Sequence, residues 1–399
     1  MKRLWDKGAA VDDMILRFTV GSDYVFDNRL VEYDVRASIA HAMMLRDKGY
    51  LTAEEFRQIE TGLIAIGEQH ANGGWKISLE EEDAHTAIEN RLVKEIGDVG
   101  KKVHLARSRN DQVLAALRLY LMNEIEVVSG AAKKVIEALE IIVKEQGDVV
   151  LPGFTHMQQA MPSSVSLWAG GFVRELRDDV DGLRRTRSRV NVNPLGSVAG
   201  YGAGPLDIDR EATARSLGFD SVQSPVTSVQ LSRGKAEASV IFELVLLVND
   251  LGRLAADLVL FSTSEFSYVH LADSITTGSS VMPQKRNPDV FELVRARSAQ
   301  IPAWLAESLN ICNKMTSGYH RDMQLLKEPL LRSIDVATSV CDIMAHALNE
   351  IRFTPESIRV DKSIFAAELA YEMVVRDNIS FRDAYRIIAE SKPWEGSVK

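Results

Sequence analysis

Eleven residues, Gly278-Ser279-Ser280-Val281-Met282-Pro283-Gln284-Lys285-Arg286-Asn287-Pro288, put two hydroxyls, the Lys285 cation and the Asn287 amide between glycine and proline. The stretch holds too many turn formers for a helix and is too polar for a core strand. Such a loop suits a site that holds an anion and moves a proton. Adjacent backbone N–H groups can cradle negative charge, and Lys285 can neutralise it. Ser279 lies among turn residues, where its hydroxyl can be exposed. Serine is a very weak base in water, so loop N–H groups and Lys285 would have to stabilise its anion. A second candidate, His156, sits in Pro152-Gly153-Phe154-Thr155-His156-Met157-Gln158 without the apolar periodicity expected around a core histidine. An exposed loop with no function is the bland alternative for each segment taken alone.

The elements that would position these residues are helices. From Gln112 to Gln146 apolar residues recur at Leu114, Leu117, Leu121, Ile125, Val128, Ala132, Val135, Leu139 and Ile142, in steps of three or four. Val229 to Phe261 carries Val240, Leu244, Leu247, Leu251, Leu254 and Leu258 on one side. A third long helix is expected from Pro288 to about Asn313, bent at Pro302. A fourth starts near Pro329 and runs to about Ile351. The first hundred residues read as shorter helices. Thr52-Ala53-Glu54-Glu55 and Ser78-Leu79-Glu80-Glu81 are capping boxes, the second opening a helix with Asp83, His85 and Glu89. His85 and Glu89 pair at i,i+4 on that helix. Ser380-Phe381-Arg382-Asp383 is another box, inside a small module that begins at Thr354-Pro355. The breaks Gly147–Pro162, Asn191–Asp209 and Ser262–Pro288 carry the polar motifs. β-branched alternation is scarce, so a parallel sheet is not supported. The expectation is an all-α chain: an N-terminal helical domain 1–105, a central long-helix bundle 106–353 and a small, shortened C-terminal helical domain 354–399.

Composition narrows the class. The 399 residues are 46% hydrophobic, enough for a sizeable interior. The net charge of −9 argues against a nucleic-acid partner. Cys312 and Cys341 are the only cysteines and read as buried free thiols. No H-E-x-x-H or Cys/His cluster appears, so no metal is expected. The Met1 segment, with Lys2, Arg3, Asp6 and Lys7, has no apolar core and does not read as a signal peptide. Charges interrupt every apolar stretch short of a membrane span. A cytoplasmic protein with no membrane partner is expected.

The 278–288 run also resembles the signature loop of the fumarase/aspartase superfamily, G-S-S-x-M-P-x-K-x-N, with every fixed position present. Pro152–Gln158 resembles its Thr-His segment. His104-Leu105-Ala106-Arg107-Ser108-Arg109-Asn110-Asp111-Gln112 resembles the R-S-R-N-D-Q segment of the argininosuccinate lyase family within it. The segments stand in family order, and weaker similarity runs from about Phe18 to about Tyr385. The resemblance implies elimination from a succinyl group without a cofactor, and a homotetramer with a 20-helix core and sites shared between subunits. It assigns catalysis to Ser279, His156 and the His-orienting Glu292, with Lys285 and Asn287 on the carboxylate. Thr155, Asn110 and Gln112 fall where the family holds the succinyl end. Arg107, Ser108 and Arg109 lie in the same segment, and the two arginines suit a dianionic end through bidentate pairing. Tyr319, Gln324 and Lys327 match a Y-x-x-D-x-Q-x-x-K segment. Ser22 and His85 are further candidates. His41, His70, His104, His270, His320 and His346 are read as structural.

Some positions depart from the pattern. Phe18–Asp27 is longer than the family's F-N-A-S segment and lacks its Asn. Arg286 replaces a commoner Lys, and His320-Arg321 replaces Asn-Lys. Asn193-Pro194-Leu195-Gly196-Ser197 keeps P-L-G-S before diverging, and the chain stops soon after Trp394. The implied reaction is cleavage of argininosuccinate to arginine and fumarate, the assignment of base and acid between Ser279 and His156 staying open. The alternatives are another fumarate-releasing lyase, of adenylosuccinate or aspartate type, or a crystallin-like structural protein.

Overall fold

The computed structural model describes residues 12–395, so the charged Met1 segment lies outside the described residues. The fold is all-α. Among the described residues, strands are confined to three two-stranded ribbons, two antiparallel and one parallel. The long helices are Arg109–Gln146, Val165–Val190, Lys235–Phe261 and Lys327–Leu348. Every member of the two leucine-rich stripes is at most 2% exposed, as a core-facing helix stripe requires. The third expected helix is two. Asp289–Ser298 ends at Ala299, and Gln300–Cys312 begins just before Pro302. Proline lacks an N–H and crowds the preceding turn, so the break falls three residues ahead of it. Another correction concerns the Ser78 box. It caps a single 3₁₀ turn, Leu79–Glu81, because Glu82 takes φ +67° and leaves the helical track. The helix of His85 and Glu89 starts afresh at Ala84, with Asp83 as its N-cap.

The chain divides into two compact units. The first comprises Met1–Ser129, Asp181–Val245 and Gln300–Ala337. Its N-terminal part packs Val31, Leu45, Phe56, Ile59, Leu63, Ile88 and Leu92 into one core. The helix Ala53–Ala71 supplies several of these and is capped by the reciprocal Thr52/Glu55 box. The second comprises Gly130–Val180, Leu246–Ala299 and Thr338–Lys399. It contains an antiparallel hairpin, Val150–Thr155 with Gln158–Ser164. Near its end the helices Ala366–Asp377 and Phe381–Ser391 bury Ala370, Ala384 and Ile388. Both cysteines are free, but only Cys341 is buried; Cys312 is half-buried. No helix among the described residues is long and apolar enough to cross a membrane.

Candidate active site

In the first unit, five sequence-flagged residues line one cleft: Arg109, Asn110, Tyr319, Gln324 and Lys327. Arg109 and Asn110 open the helix Arg109–Gln146, while Lys327 opens Lys327–Leu348 after a 3₁₀ segment, Arg321–Leu326. The cleft also holds Asp23, Glu82, Asp83, Arg233 and Arg321, which the motifs do not mark. Charges of both signs thus meet in one place. Arg109 Nε lies 2.9 Å from Asp83 Oδ2, and its Nη2 is 3.3 Å from Glu82 Oε2. Gln324 Nε2 donates to the carbonyls of Thr19 and Val20 at 3.0 and 3.1 Å, and Arg321 donates to Thr19 at 2.8 Å. These bonds fix the end of the helix Asp13–Val20 to the 3₁₀ segment.

Lys327 is only 3% exposed. Its ammonium lies 2.6 Å from Asp27 Oδ1 and 2.9 Å from Asp23 Oδ2. Burial would lower the lysine pKa, but the two carboxylates outweigh it and hold the charge in place. Burial pushes Asp23 up to about 7 against the pull of Lys327, with Asp27 adding like-charge repulsion. Asp27 is also raised, first by burial. Both shifts have one sign, because burial disfavours a second negative charge beside a single lysine.

Other flagged residues in this unit lie outside the cleft lining. Arg107 is buried, donates to Ser38 Oγ at 2.9 Å and lies 4.0 Å from Asp34. Gln112 is buried and donates to the same Asp34 at 2.6 Å. Burial raises Asp34 to about 6 despite the nearby Arg107. Ser108 Oγ accepts from the Asn110 N–H at 3.3 Å. Asp111, from the same segment, accepts backbone N–H bonds from Ser108, Gly196 and Val198 and so ties the 196–198 loop to the helix start. Ser22 donates to Glu328 at 2.7 Å. His85 is buried, and a ring nitrogen of His85, a carboxylate oxygen of Glu89 and a ring nitrogen of His104 lie within 4.8 Å of one another. No spacing rule marks that group, because His104 joins it from a separate turn.

In the second unit, Ser279, Lys285 and Asn287 lie on one loop. The backbones of Thr277 and Asn287 bond to each other in both directions, at 3.2 and 2.8 Å, and close its neck. The Asn287 amide donates to the Gly278 carbonyl at 3.4 Å. Within the loop, Ser279 Oγ accepts the N–H groups of Val281 at 3.2 Å and Met282 at 3.1 Å. Two N–H dipoles thus point at the hydroxyl oxygen, where they favour developing negative charge. Lys285 is exposed, and so is Glu292, in the first turn of Asp289–Ser298 where a carboxylate suits the helix dipole.

Thr155 and His156 belong to the hairpin rather than to an irregular loop. Thr155 pairs with Gln158, which leaves His156 and Met157 as the two-residue turn, with φ of +53° and +61°. Two consecutive left-handed residues define a type I′ turn, which Asn-Gly would fill without strain. The turn therefore holds a histidine and an exposed Met157 at a sterically costly position. Among the described residues, no hydrogen bond joins His156 to Glu292 or to Ser279.

Residues 7–303 match the family described as lyase. An argininosuccinate lyase of Thermotoga neapolitana is 41% identical over 391 residues, covering 98% of this chain and 98% of the relative. One from Sorangium cellulosum is 41% identical over 389 residues, covering 97% of this chain and 90% of the relative. Among solved structures, an EDDS lyase in complex with formate superposes with a TM-score of 0.79 at 27% identity, covering 96% of this chain and 76% of that one. A class II fumarase from Schistosoma mansoni, at 17% identity and a TM-score of 0.80 over 94% of this chain and 91% of that one, shares the fold.

Proposed function

The chain belongs to the argininosuccinate lyase family, and on that premise we propose that it cleaves argininosuccinate to arginine and fumarate by β-elimination. The observation that carries the mechanism is the pair of N–H donors on Ser279 Oγ. They lower the cost of negative charge on that oxygen, which is what a serine base requires. Ser279 Oγ takes the proton from the succinyl Cβ. Lys285 and Asn287 hold the adjacent carboxylate as it gains aci-carboxylate character. The Cα–N bond then breaks, its electron pair leaves with the guanidino nitrogen, and His156, oriented by Glu292, protonates that nitrogen. Exchange of the two proton-transfer roles between Ser279 and His156 would keep the same balance. The cleft of Arg109, Asn110, Tyr319, Gln324 and Lys327 binds substrate. Its mixture of acids and bases suits a substrate carrying both a guanidinium and carboxylates.

The enzyme acts as a cytoplasmic homotetramer in which neighbouring subunits complete each site. Two observations support this. The Ser279 loop is open, with Val281 83% exposed, whereas proton transfer needs water excluded. Apolar side chains such as Val127, Ile141, Leu167, Phe242 and Ile343 are exposed on the long helices and need covering. Kinetics of Ser279→Ala test the mechanism. Its kcat should fall at least about a hundredfold with little change in KM, because the oxygen acts on the transition state. Near-normal turnover would overturn the assignment.

A further inference from the structure

We propose that His85, Glu89 and His104 form a binding site for a zinc-type divalent cation. The two helical members sit at i and i+4 on Ala84–Ile96, so they share a face. His104 is delivered by the turn Lys102–His104. One ligand atom from each of the three lies within 4.8 Å of the others, and His104 Nδ1 is 3.2 Å from Glu89 Oε2. A tetrahedral zinc ion spaces its ligand atoms by roughly 3.3 Å. The Glu89–His104 pair already has that spacing, and a ring nitrogen of His85 lies within 4.8 Å of both.

An ordinary hydrogen bond between His104 and Glu89 would explain part of this geometry. It leaves His85 unexplained. That ring is 3% exposed, and its Nδ1 is shut from solvent with no hydrogen-bond partner. A buried imidazole nitrogen without a partner is costly unless something else satisfies it. The two rings stand 5.3 Å apart, centroid to centroid. Arg107 and Arg109 face His85 with positive charge, and Asp83 and Glu89 face it with negative charge. Arg109 is itself neutralised by Asp83 at 2.9 Å. Two imidazoles and one carboxylate are the donor set of open zinc sites, whereas magnesium prefers oxygen alone.

Calorimetric titration of the chelator-treated full-length protein with ZnCl2, in a weakly coordinating buffer, tests the site. One Zn²⁺ per chain is expected to bind the wild type, with no matching binding of Mg²⁺. Affinity should fall at least about tenfold in His104→Ala and in the isosteric Glu89→Gln. His346→Ala, which removes an exposed histidine elsewhere, should bind as the wild type does. Zn²⁺ should also raise the Tm of the wild type and not that of Glu89→Gln. No stoichiometric Zn²⁺ binding, equal binding of Mg²⁺, or Zn²⁺ binding unchanged in both His104→Ala and Glu89→Gln would each overturn the proposal. Glu89→Gln keeps the test decisive if His104→Ala fails to fold.

Discussion

Lys327→Met should destabilise the protein more than a substrate-contact role alone implies. Methionine keeps most of the lysine stem, so the change removes the ammonium and little packing. What remains is Asp23 and Asp27, both buried and without their cation. In the wild type Asp23 is already lifted to about 7 by burial, even with the ammonium beside it. The variant must take up one proton more. Protonating a carboxylate of ordinary pKa near 3.9 at pH 7 costs about 4 kcal/mol, at about 1.36 kcal/mol per unit. Mutational losses of one partner from buried pairs run about 3–5 kcal/mol, so the two routes agree. The sign follows from the raised folded pKa values. Each acid binds protons more tightly in the folded state, so its burden is absent at low pH and grows as pH rises from about 4 through 7. The cost of Lys327→Met should therefore be about 3–5 kcal/mol at pH 7 and about 1–2 kcal/mol at pH 5. Urea unfolding at one fixed protein concentration, at both pH values, measures it. Adding Asp27→Asn should recover much of the loss at pH 7. A cost below about 1 kcal/mol, or one independent of pH, would refute the electrostatic account of the trio.

Two further outcomes follow. Gly234→Ala should cost about 2–4 kcal/mol, because the new Cβ would meet Cys312 Sγ at 2.0 Å at a φ of +79°; Cys312→Ala in the same chain should return the steric part only, read by thermal melting. Ser279→Ala and His156→Asn proteins, each inactive alone, should regain partial activity when refolded together, and no recovery at any mixing ratio would count against shared sites.

Helical periodicity made Arg109–Gln146 and Lys235–Phe261 legible, since a stripe such as Leu114 to Ile142 reports its own burial, but it did not mark Val165–Val190. Local chemistry also placed the capping box at Thr52, whereas the bend expected at Pro302 is a full break at Ala299. The hairpin Val150–Ser164 was not legible, because Pro152, Gly153 and Pro162 disguise its strands and its turn lacks the Asn-Gly signal. The Ser78 box misled because a cap records only how a turn starts, while the φ of Glu82 decides whether it continues. At the site, the family resemblance picked out Ser279, His156 and the Arg109 and Lys327 segments as candidates. It could not reveal Asp23 and Asp27 beneath Lys327, some 300 residues away. Nor could it show that Arg107 and Gln112 converge on Asp34, or that His104 approaches His85 and Glu89. Those partners are set by tertiary packing, which leaves no periodic trace in one sequence.

The most direct measurement of the central claim is product release by the purified enzyme from argininosuccinate, with adenylosuccinate, aspartate and malate as parallel substrates. Fumarate and arginine should form in equal amounts from argininosuccinate, and fumarate should not form at a comparable rate from the other three. No fumarate from argininosuccinate, or faster release from any of the others, would contradict the assignment.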